Sequence, residues 1–330
     1  MYMKTLLAAL EAKKQRLAAH QPLSASLVRN LDEWFKIELT YTSNAIEGNT
    51  LSRAETALVV EKGLTVEGKT LTEHLEAVNH AHAFEWITTL AHLKRKDVTE
   101  RHILELRRLI LQKIDDTNAG RYRTVSVRIA GSRAIMPNPA KVPRLMDEFI
   151  SWLHAARGNE LVVATDAHFK LVSIHPFVDG NGRTARLLMN LLLMAAGYPP
   201  AIIRKEDRKL YIDSIEAGQL GKSLDDYYKL IFASIDRSLD IYLDAVEQKE
   251  KMGTIAGKER IKIGELAKLA GETVPTIRYW TREGLLSVAS RTTGGYQLYA
   301  QSQVGIVKKI KKLQKKRLTL REIKKTLNTY

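Results

Sequence analysis

Residues 175–195 read HPFVDGNGRTARLLMNLLLMA, a short loop with two glycines followed by an almost wholly apolar run. A helix that is apolar on every side has to be buried, so Leu187 to Leu193 predicts a helix in the centre of the fold. Apolar residues recur at helical spacing through most of the chain, as Leu27 and Leu31 illustrate. The pattern predicts an all-α protein with the quoted loop at the start of its central helix.

The loop contains the groups that hold a phosphate chain. Gly180 and Gly182 let backbone N–H groups approach an anion closely, and the positive end of the next helix points to the same place. Arg183 and Arg186, three residues apart on that helix, add charged donors. The segment therefore predicts an anion-binding site.

Two further side chains of the loop suggest chemistry. Asp179 offers a hard oxygen ligand for Mg²⁺, which usually bridges a carboxylate and substrate phosphates. His175 is a candidate general base near neutral pH. Each feature has an ordinary alternative, because a histidine before proline is usually structural and Gly-Asn-Gly is a common turn. Their combination in one loop favours group transfer from a nucleotide.

Residues 123–136, RTVSVRIAGSRAIM, differ from the helical remainder. The stretch is rich in β-branched residues and contains Gly131-Ser132, which is typical of a β-hairpin. Prolines at 137, 139 and 143 end it and lead into the next helix. We therefore predict one small β-hairpin within the helical fold.

The segment from His175 to Arg186 resembles the Fic motif, HxFx(D/E)GNGRxxR, and matches it at every fixed position. The resemblance implies the Fic helical core and an enzyme that transfers AMP from ATP to a hydroxyl of a protein. The hairpin then takes the place of the family's flap, which aligns the target by strand addition, here through Ile129, Ala130 and Gly131. The implied ligands and partners are ATP, Mg²⁺ and a target protein, which can be the chain itself.

The same resemblance implies a role for each residue of the motif. His175 would deprotonate the target hydroxyl, and Asp179 would bind Mg²⁺. The implied ATP contacts are Asp179, Gly180, Asn181, Gly182, Arg183, Thr184, Arg186, Tyr211 and Ile212. Within this set, Asn181, Gly182 and Arg183 would hold the α- and β-phosphates, and Arg186 would hold the γ-phosphate. The family's adenine-side asparagine falls on Gln219, so that contact stays open.

Residues 42–48, TSNAIEG, resemble the family's inhibitory motif, (S/T)xxxE(G/N), with Ser43 and Glu47 in the fixed positions. A carboxylate paired with Arg186 would occupy the γ-phosphate clamp and misplace an incoming triphosphate. The ordinary alternative is a surface glutamate at a helix end, with Gly48 as the C-cap. In some family members the equivalent glutamate supports the reverse reaction, removal of AMP by water, which stays a further alternative.

The excess positive charge lies near the C-terminus. Residues 259–330 contain 16 Lys or Arg and 5 Asp or Glu, whereas residues 1–258 contain 36 and 32. A localised basic surface is typical of polyanion binding. Residues 263–271 and 274–284 read as two short helices and residues 291–299 as a hairpin wing, which suits a winged helix-turn-helix.

This C-terminal segment resembles the MerR-type winged helix-turn-helix. The resemblance implies DNA binding through Thr276, Arg278, Tyr279, Arg291 and Tyr296. Gln297 stands where the family has a wing arginine, and no long dimerisation helix precedes Tyr330, so a homodimer would need another surface. The alternative is a basic helix bundle that binds proteins.

These observations predict four regions: an N-terminal helical region with the inhibitory motif (1–99), a Fic catalytic domain (100–247), a linker (248–258) and a DNA-binding domain (259–330). The absence of cysteine excludes disulfides, thiolate metal sites and cysteine nucleophiles. No apolar run approaches the about 20 residues that cross a bilayer. We therefore expect a cytoplasmic protein with no membrane partner.

Two competing functions remain open from the sequence. One is a transcription regulator that uses the nucleotide site only as a sensor. The other is a Fic enzyme with another donor, because the motif reads phosphates rather than bases and some members transfer UMP, GMP or phosphocholine.

Overall fold

The structure is a computed structural model that describes residues 2–258, 260–291, 296–315, 318 and 320–327. The chain divides into two compact units, Met1–Val246 and Glu247–Tyr330. Helices dominate the first unit, which confirms the predicted all-α fold. Within the described stretches, no helix is long and apolar enough to cross a bilayer.

The helices of the first unit surround one apolar core. Their order is α1 (Tyr2–Ala18), α2 (Ala25–Glu47), α3 (Arg53–Lys62), α4 (Leu71–Thr89), α5 (Glu100–Leu111), α6 (Val142–Ala155), α7 (Glu160–Ile174), α8 (Asn181–Ala195), α9 (Arg208–Gln219) and α10 (Asp225–Lys258), whose last residues belong to the second unit. Helix α8 is the central helix, and Leu188, Met189 and Leu191 on it are fully buried. It packs against α2, α4, α5 and α7, so its N-terminus meets residues from distant parts of the chain.

Local capping sets both ends of α2. At the start, Oγ of Ser24 accepts a hydrogen bond from the backbone N–H of Leu27 at 3.4 Å. At the end, Gly48 has a φ of 105°, a left-handed conformation that glycine adopts without a side-chain clash. Glu47 is therefore the last residue of the helix.

The predicted hairpin over residues 123–136 does not form paired strands. The segment is a loop with one turn, in which the N–H of Ser132 donates to the carbonyl of Ile129 at 3.1 Å. The guanidinium of Arg123 donates to three backbone carbonyl groups at 2.6–3.0 Å, those of Val125, Pro137 and His175. These contacts tie the start of the segment to backbone outside it, at Pro137 and His175, and its β-branched composition does not produce a hairpin.

The predicted linker at 248–258 is also helical, because α10 continues to Lys258. A glycine inside a helix costs only about 1 kcal/mol relative to alanine, so Gly253 and Gly257 do not by themselves end it. The boundary between the compact units falls at Val246 and Glu247.

After the end of α10, the described residues of the second unit form four further helices and a small antiparallel sheet. Its elements are β1 (Arg260–Lys262), α11 (Ile263–Ala270), α12 (Val274–Arg282), β2 (Ser290–Arg291), β3 (Gln297–Ala300), α13 (Gln303–Lys315) and α14 (Leu320–Leu327), with strand order β1-β3-β2. Ile277 and Trp280 of α12 are buried with Leu266 and Tyr299, so one face of α12 packs on the core. The predicted winged helix-turn-helix is confirmed, with the tip of its wing, residues 292–295, outside the described residues.

Candidate functional site

His175 follows the last residue of α7 in a left-handed backbone conformation, with φ 51° and ψ 59°. Its Nδ1 lies 3.3 Å from the carbonyl oxygen of Val172. A carbonyl only accepts, so Nδ1 carries the proton of the neutral ring and Nε2 keeps its lone pair. Burial lowers the pKa of His175, which favours this neutral form near pH 7. The ring is therefore prepared to accept a proton at Nε2.

The loop after His175 is fixed by the side chain of Asn181. Its amide accepts from the N–H of Phe177 and donates to the carbonyl of Phe177, both at 2.9 Å. Thr184 is fully buried, and its hydroxyl donates to the carbonyl of Gly180 at 2.9 Å. The side chains of Asn181 and Thr184 thus hold the loop in place. These two residues can therefore offer a ligand their backbone groups rather than their side chains.

The start of α8 presents a row of backbone N–H groups. The first intrahelical bond joins the N–H of Thr184 to Gly180, so the N–H groups of Asn181, Gly182 and Arg183 have no carbonyl partner within the helix. A Cβ atom at Gly182 would lie 2.4 Å from Oε1 of Glu47. The glycine therefore leaves room for a carboxylate or phosphate at the positive end of α8.

Arg186 lies at the centre of the site and is 5% exposed. Its Nη2 donates to Oε1 of Glu47 at 2.6 Å and to the carbonyl of Ser43 at 3.0 Å, and its Nε donates to Oγ of Ser43 at 3.0 Å. Burial alone would lower the pKa of Arg186, but the negative charge of Glu47, together with the hydrogen bonds that Arg186 donates to Glu47 and Tyr211, outweighs burial and raises it. Residues at the end of α2 thus accept most of the hydrogen bonds that this guanidinium donates.

Arg183 has different carboxylate partners from Arg186. It donates to Oε1 of Glu76 at 2.8 Å and to Oδ2 of Asp179 at 3.1 Å. Glu76, on α4, also accepts from the amide of Asn49 at 2.9 Å. Sequence reasoning missed Glu76, because it lies 107 residues before Arg183 and belongs to no motif.

Arg107 of α5 is a second residue that the motifs do not indicate. It is fully buried, and its guanidinium carbon lies 5.3 Å from the centre of the Phe177 ring. Burial lowers the pKa of Arg107 to about 10. In the part of the chain that the structure describes, its side-chain nitrogens have no hydrogen-bond partner. Arg107 therefore supports the loop through a cation–π contact with the ring of Phe177.

The position and exposure of the Asp179 carboxylate suit a ligand of Mg²⁺. Its side chain is 65% exposed, and Oδ1 accepts from the N–H of Gly180 at 2.6 Å. One exposed carboxylate beside a phosphate cradle is the usual protein contribution to a Mg²⁺-nucleotide site. Among the described residues, no group of three or more His, Asp or Glu gathers as a metal cage.

A cavity of about 120 Å³ adjoins His175, Glu47 and Arg186. Ile129 and Ser132 of the flap segment line it from one side, and residues of α9 line it from the other: Tyr211, Ile212, Ile215, Glu216 and Gln219. Ala130 and Gly131 are exposed at the turn of the flap. Glu216 accepts from the hydroxyl of Ser132 at 3.0 Å and from the N–H of Arg133 at 2.5 Å, which ties the flap to α9.

In the second unit, α12 exposes the face that carries the predicted DNA contacts. Arg278 is exposed, Tyr279 is 40% exposed and Thr276 is half-buried. Tyr296, before β3, is 73% exposed. The side chain of Arg291 lies outside the described residues, although its backbone pairs with Gln297 in the wing.

Comparisons with known proteins agree with both units. Residues 97–193 match the model of the Fic/DOC family, and residues 261–330 match that of the MerR HTH family regulatory protein. "Protein adenylyltransferase Fic" from Culex quinquefasciatus is 36% identical over 267 residues, which cover 77% of this chain and 53% of the relative. The Aedes aegypti protein of the same name is 37% identical over 242 residues, 72% of this chain and 48% of the relative. The chain thus spans about half the length of the curated relatives it matches.

Solved structures show the same fold. A glutamate-to-glycine variant of a Fic-1 fragment from C. elegans is 31% identical with a TM-score of 0.65, and the match covers 74% of this chain and 72% of that one. A Fic domain containing signaling protein from Bacteroides thetaiotaomicron is 29% identical with a TM-score of 0.65, and the match covers 74% of this chain and 98% of that one. With the complete motif around His175, these matches show that the chain belongs to the Fic/DOC family.

Proposed function

We propose that this chain is a protein adenylyltransferase that transfers AMP from ATP to a Ser, Thr or Tyr hydroxyl of a target protein or of itself. The observation that carries the proposal is the free Nε2 of His175 next to the unpaired N–H groups of α8 and the guanidinium of Arg186. Nε2 removes the proton of the acceptor hydroxyl. The hydroxyl oxygen then bonds to the α-phosphorus, and the bond from that phosphorus to pyrophosphate breaks.

The phosphate chain would lie along the start of α8. The N–H groups of Asn181, Gly182 and Arg183 face the α- and β-phosphates, and Arg186 faces the γ-phosphate. Asp179 would hold Mg²⁺, which would neutralise part of the phosphate charge. Ile212 and Ile215 offer an apolar surface to the base.

Glu47 restrains this reaction in the proposal. Its carboxylate occupies the place above Gly182 and neutralises Arg186, where the γ-phosphate would otherwise bind. The small size of the cavity supports this assignment, since ordinary small-molecule sites enclose about 300–1,000 Å³. The α2 C-cap at Gly48 is compatible with restraint, because it is what places Glu47 at this position.

The flap would bind the target. Ala130 and Gly131 are exposed next to the cavity, and an extended target segment can pair with this backbone while its hydroxyl reaches Nε2 of His175. The flap needs no strand partner of its own for this role, because the target supplies one.

The second unit would bind duplex DNA. The exposed Arg278 and Tyr279 on α12 support insertion of this helix into the major groove, and the exposed Tyr296 supports contact from the wing. Regulation of transcription, a cytoplasmic location and a homodimer belong to the same proposal.

Mass spectrometry of the Glu47→Gly protein with Mg-ATP and a cell lysate tests the enzymatic part. We expect AMP on the chain itself or on a lysate protein. The matched control, Glu47→Gly with His175→Ala, should lose about 10²–10⁴-fold of the rate but still bind nucleotide, because the base acts on the acceptor. Equal modification by both proteins would remove His175 from the mechanism. If the protein is given a mixture of nucleoside triphosphates and transfers a nucleotide other than AMP, ATP is not the donor.

A further inference from the structure

A chain of buried hydrogen bonds runs from Arg186 into the core. Nη1 of Arg186 donates to the hydroxyl oxygen of Tyr211 at 3.4 Å, and this hydroxyl lies 2.7 Å from Nε2 of His168. Nδ1 of His168 lies 2.8 Å from the hydroxyl of Tyr227, which donates to the carbonyl of Thr165 at 2.9 Å. His168 and Tyr227 are fully buried, and Tyr211 is 1% exposed.

The carbonyl of Thr165, at the end of this series of hydrogen bonds, determines which group donates in each of them. The carbonyl of Thr165 can only accept, so Tyr227 donates its one proton there and accepts from Nδ1 of His168. The neutral imidazole then has its lone pair at Nε2, where it accepts the proton of Tyr211. The oxygen of Tyr211 consequently presents only lone pairs to Arg186.

The protonation states are stable over the ordinary pH range. Burial, and secondly the charge of Arg186, lowers the pKa of His168 to about 3. Burial also raises the pKa of Tyr211, so its hydroxyl keeps the proton that it donates to His168. The donors and acceptors in this series of hydrogen bonds are therefore the same at every pH at which the protein would act.

Among the described residues, the other hydrogen bonds that Arg186 donates all go to α2. Ser43 supplies two acceptors and Glu47 supplies the third. When a terminal phosphate takes the place of Glu47, the two acceptors of Ser43 and the hydroxyl of Tyr211 remain as partners of Arg186. Ser43 holds Nε and Nη2, whereas the orientation of Nη1 depends on an acceptor that His168 has oriented.

We propose that His168 is a positioning residue, which orients the Tyr211 hydroxyl as an acceptor for Arg186 and so supports selection of nucleoside triphosphates over diphosphates. This inference rests on the proposed function, in which Arg186 binds the γ-phosphate. It gives the buried histidine a role that neither the Fic motif nor the inhibitory motif contains.

Two matched variants in the Glu47→Gly background test the inference. His168→Phe keeps a flat ring without polar atoms, and His168→Gln keeps one acceptor and a donor, as neutral imidazole does. Calorimetry would give the dissociation constants for Mg-ATP and Mg-ADP. We expect His168→Phe to weaken ATP binding about tenfold and leave ADP binding unchanged, the effect of misorienting one charge-assisted hydrogen bond. His168→Gln should recover most of the ATP affinity.

A general loss of structure would change both nucleotides equally, and that outcome, like no change at all, overturns the inference. If thermal unfolding shows that His168→Phe does not fold, His168→Leu replaces it, since it also removes both ring nitrogens and is smaller than phenylalanine. The same selective loss of ATP is expected there, and an unchanged ratio of ATP to ADP affinity overturns the inference.

Nucleotide binding by the Glu47→Gly protein itself distinguishes failure of the proposed function from failure of this inference. If Glu47→Gly binds neither nucleotide, the proposed function fails and the inference with it. If the parent binds both without preferring ATP, the γ-phosphate role of Arg186 is wrong, and the inference is overturned. If the parent prefers ATP and the variants keep that preference, only the inference fails.

Discussion

The arginines of α8 and of α12 serve a binding surface in opposite ways. Arg183 and Arg186 are 2% and 5% exposed, and each is paired with a carboxylate from an earlier helix. Arg278 and Arg282 are exposed, and Arg282 lies 5.6 Å from the centre of the Tyr279 ring. Each arginine of the first pair is already matched by its own internal carboxylate, whereas the second pair is open to any polyanion and to screening by salt.

The largest effect should come from emptying the internal site. Glu47→Gly should raise AMP transfer onto the chain itself about 100-fold, the equivalent of about 3 kcal/mol for a partly buried ion pair. Arg186→Ala should not raise it, because it removes the clamp as well as its blocker. Intact-mass measurement over time gives both rates, and a similar increase in the two variants would contradict the restraint.

The open site should respond to salt and to loss of single charges. Arg278→Ala should weaken binding to duplex DNA about tenfold. Affinity of the parent should fall steeply with salt, because much of it comes from phosphate neutralisation. Mobility shifts over a salt series, with a duplex from upstream of the gene, measure both. Binding that does not change with salt would favour a protein-binding helix bundle over a DNA-binding domain.

The pairing of Arg183 should matter for stability. Glu76→Gln removes the carboxylate from a buried guanidinium, so we expect the free energy of unfolding to fall by about 1–2 kcal/mol. Glu148→Gln is the matched control, because its pair with Arg144 is exposed on both sides, and it should cost less than about 0.5 kcal/mol. Urea denaturation compares them, and equal effects would remove the contrast between buried and exposed pairs.

The smallest effect should be that of pH near neutrality. In the proposed reaction the active form of His175 is the neutral one, and burial lowers its pKa below the ordinary value of about 6.5. The transfer rate of Glu47→Gly should therefore rise with pH only below neutrality and change less than about twofold between pH 7 and 8. A rate that keeps rising in proportion to hydroxide over this interval would show that another group titrates.

Features that depend on local order along the chain could be predicted from the sequence. The apolar run after Arg186 indicates a buried helix, and the two motifs name Ser43, Glu47 and Arg186, which the structure places in contact. The helix-turn-helix is predictable for the same reason, since its helices and turns are short and locally capped.

Features that depend on distant acceptors could not be predicted. The carbonyl groups that Arg123 occupies lie up to 52 residues away, and without them the β-branched segment reads as a hairpin. Glu76 and His168 carry no local pattern that separates them from other residues of a buried helix. Their partners become visible only when α4, α7 and α9 surround α8.

The left-handed conformation of His175 has a consequence for the balance between stability and activity. A non-glycine residue at a φ of 51° costs of order 1 kcal/mol, and this chain accepts the cost to place Nε2 at the cavity. Glycine would adopt this conformation without the strain, but it would remove the ring that the proposed reaction needs. Backbone strain and the proposed chemistry therefore meet in one residue, and relief of the first would abolish the second.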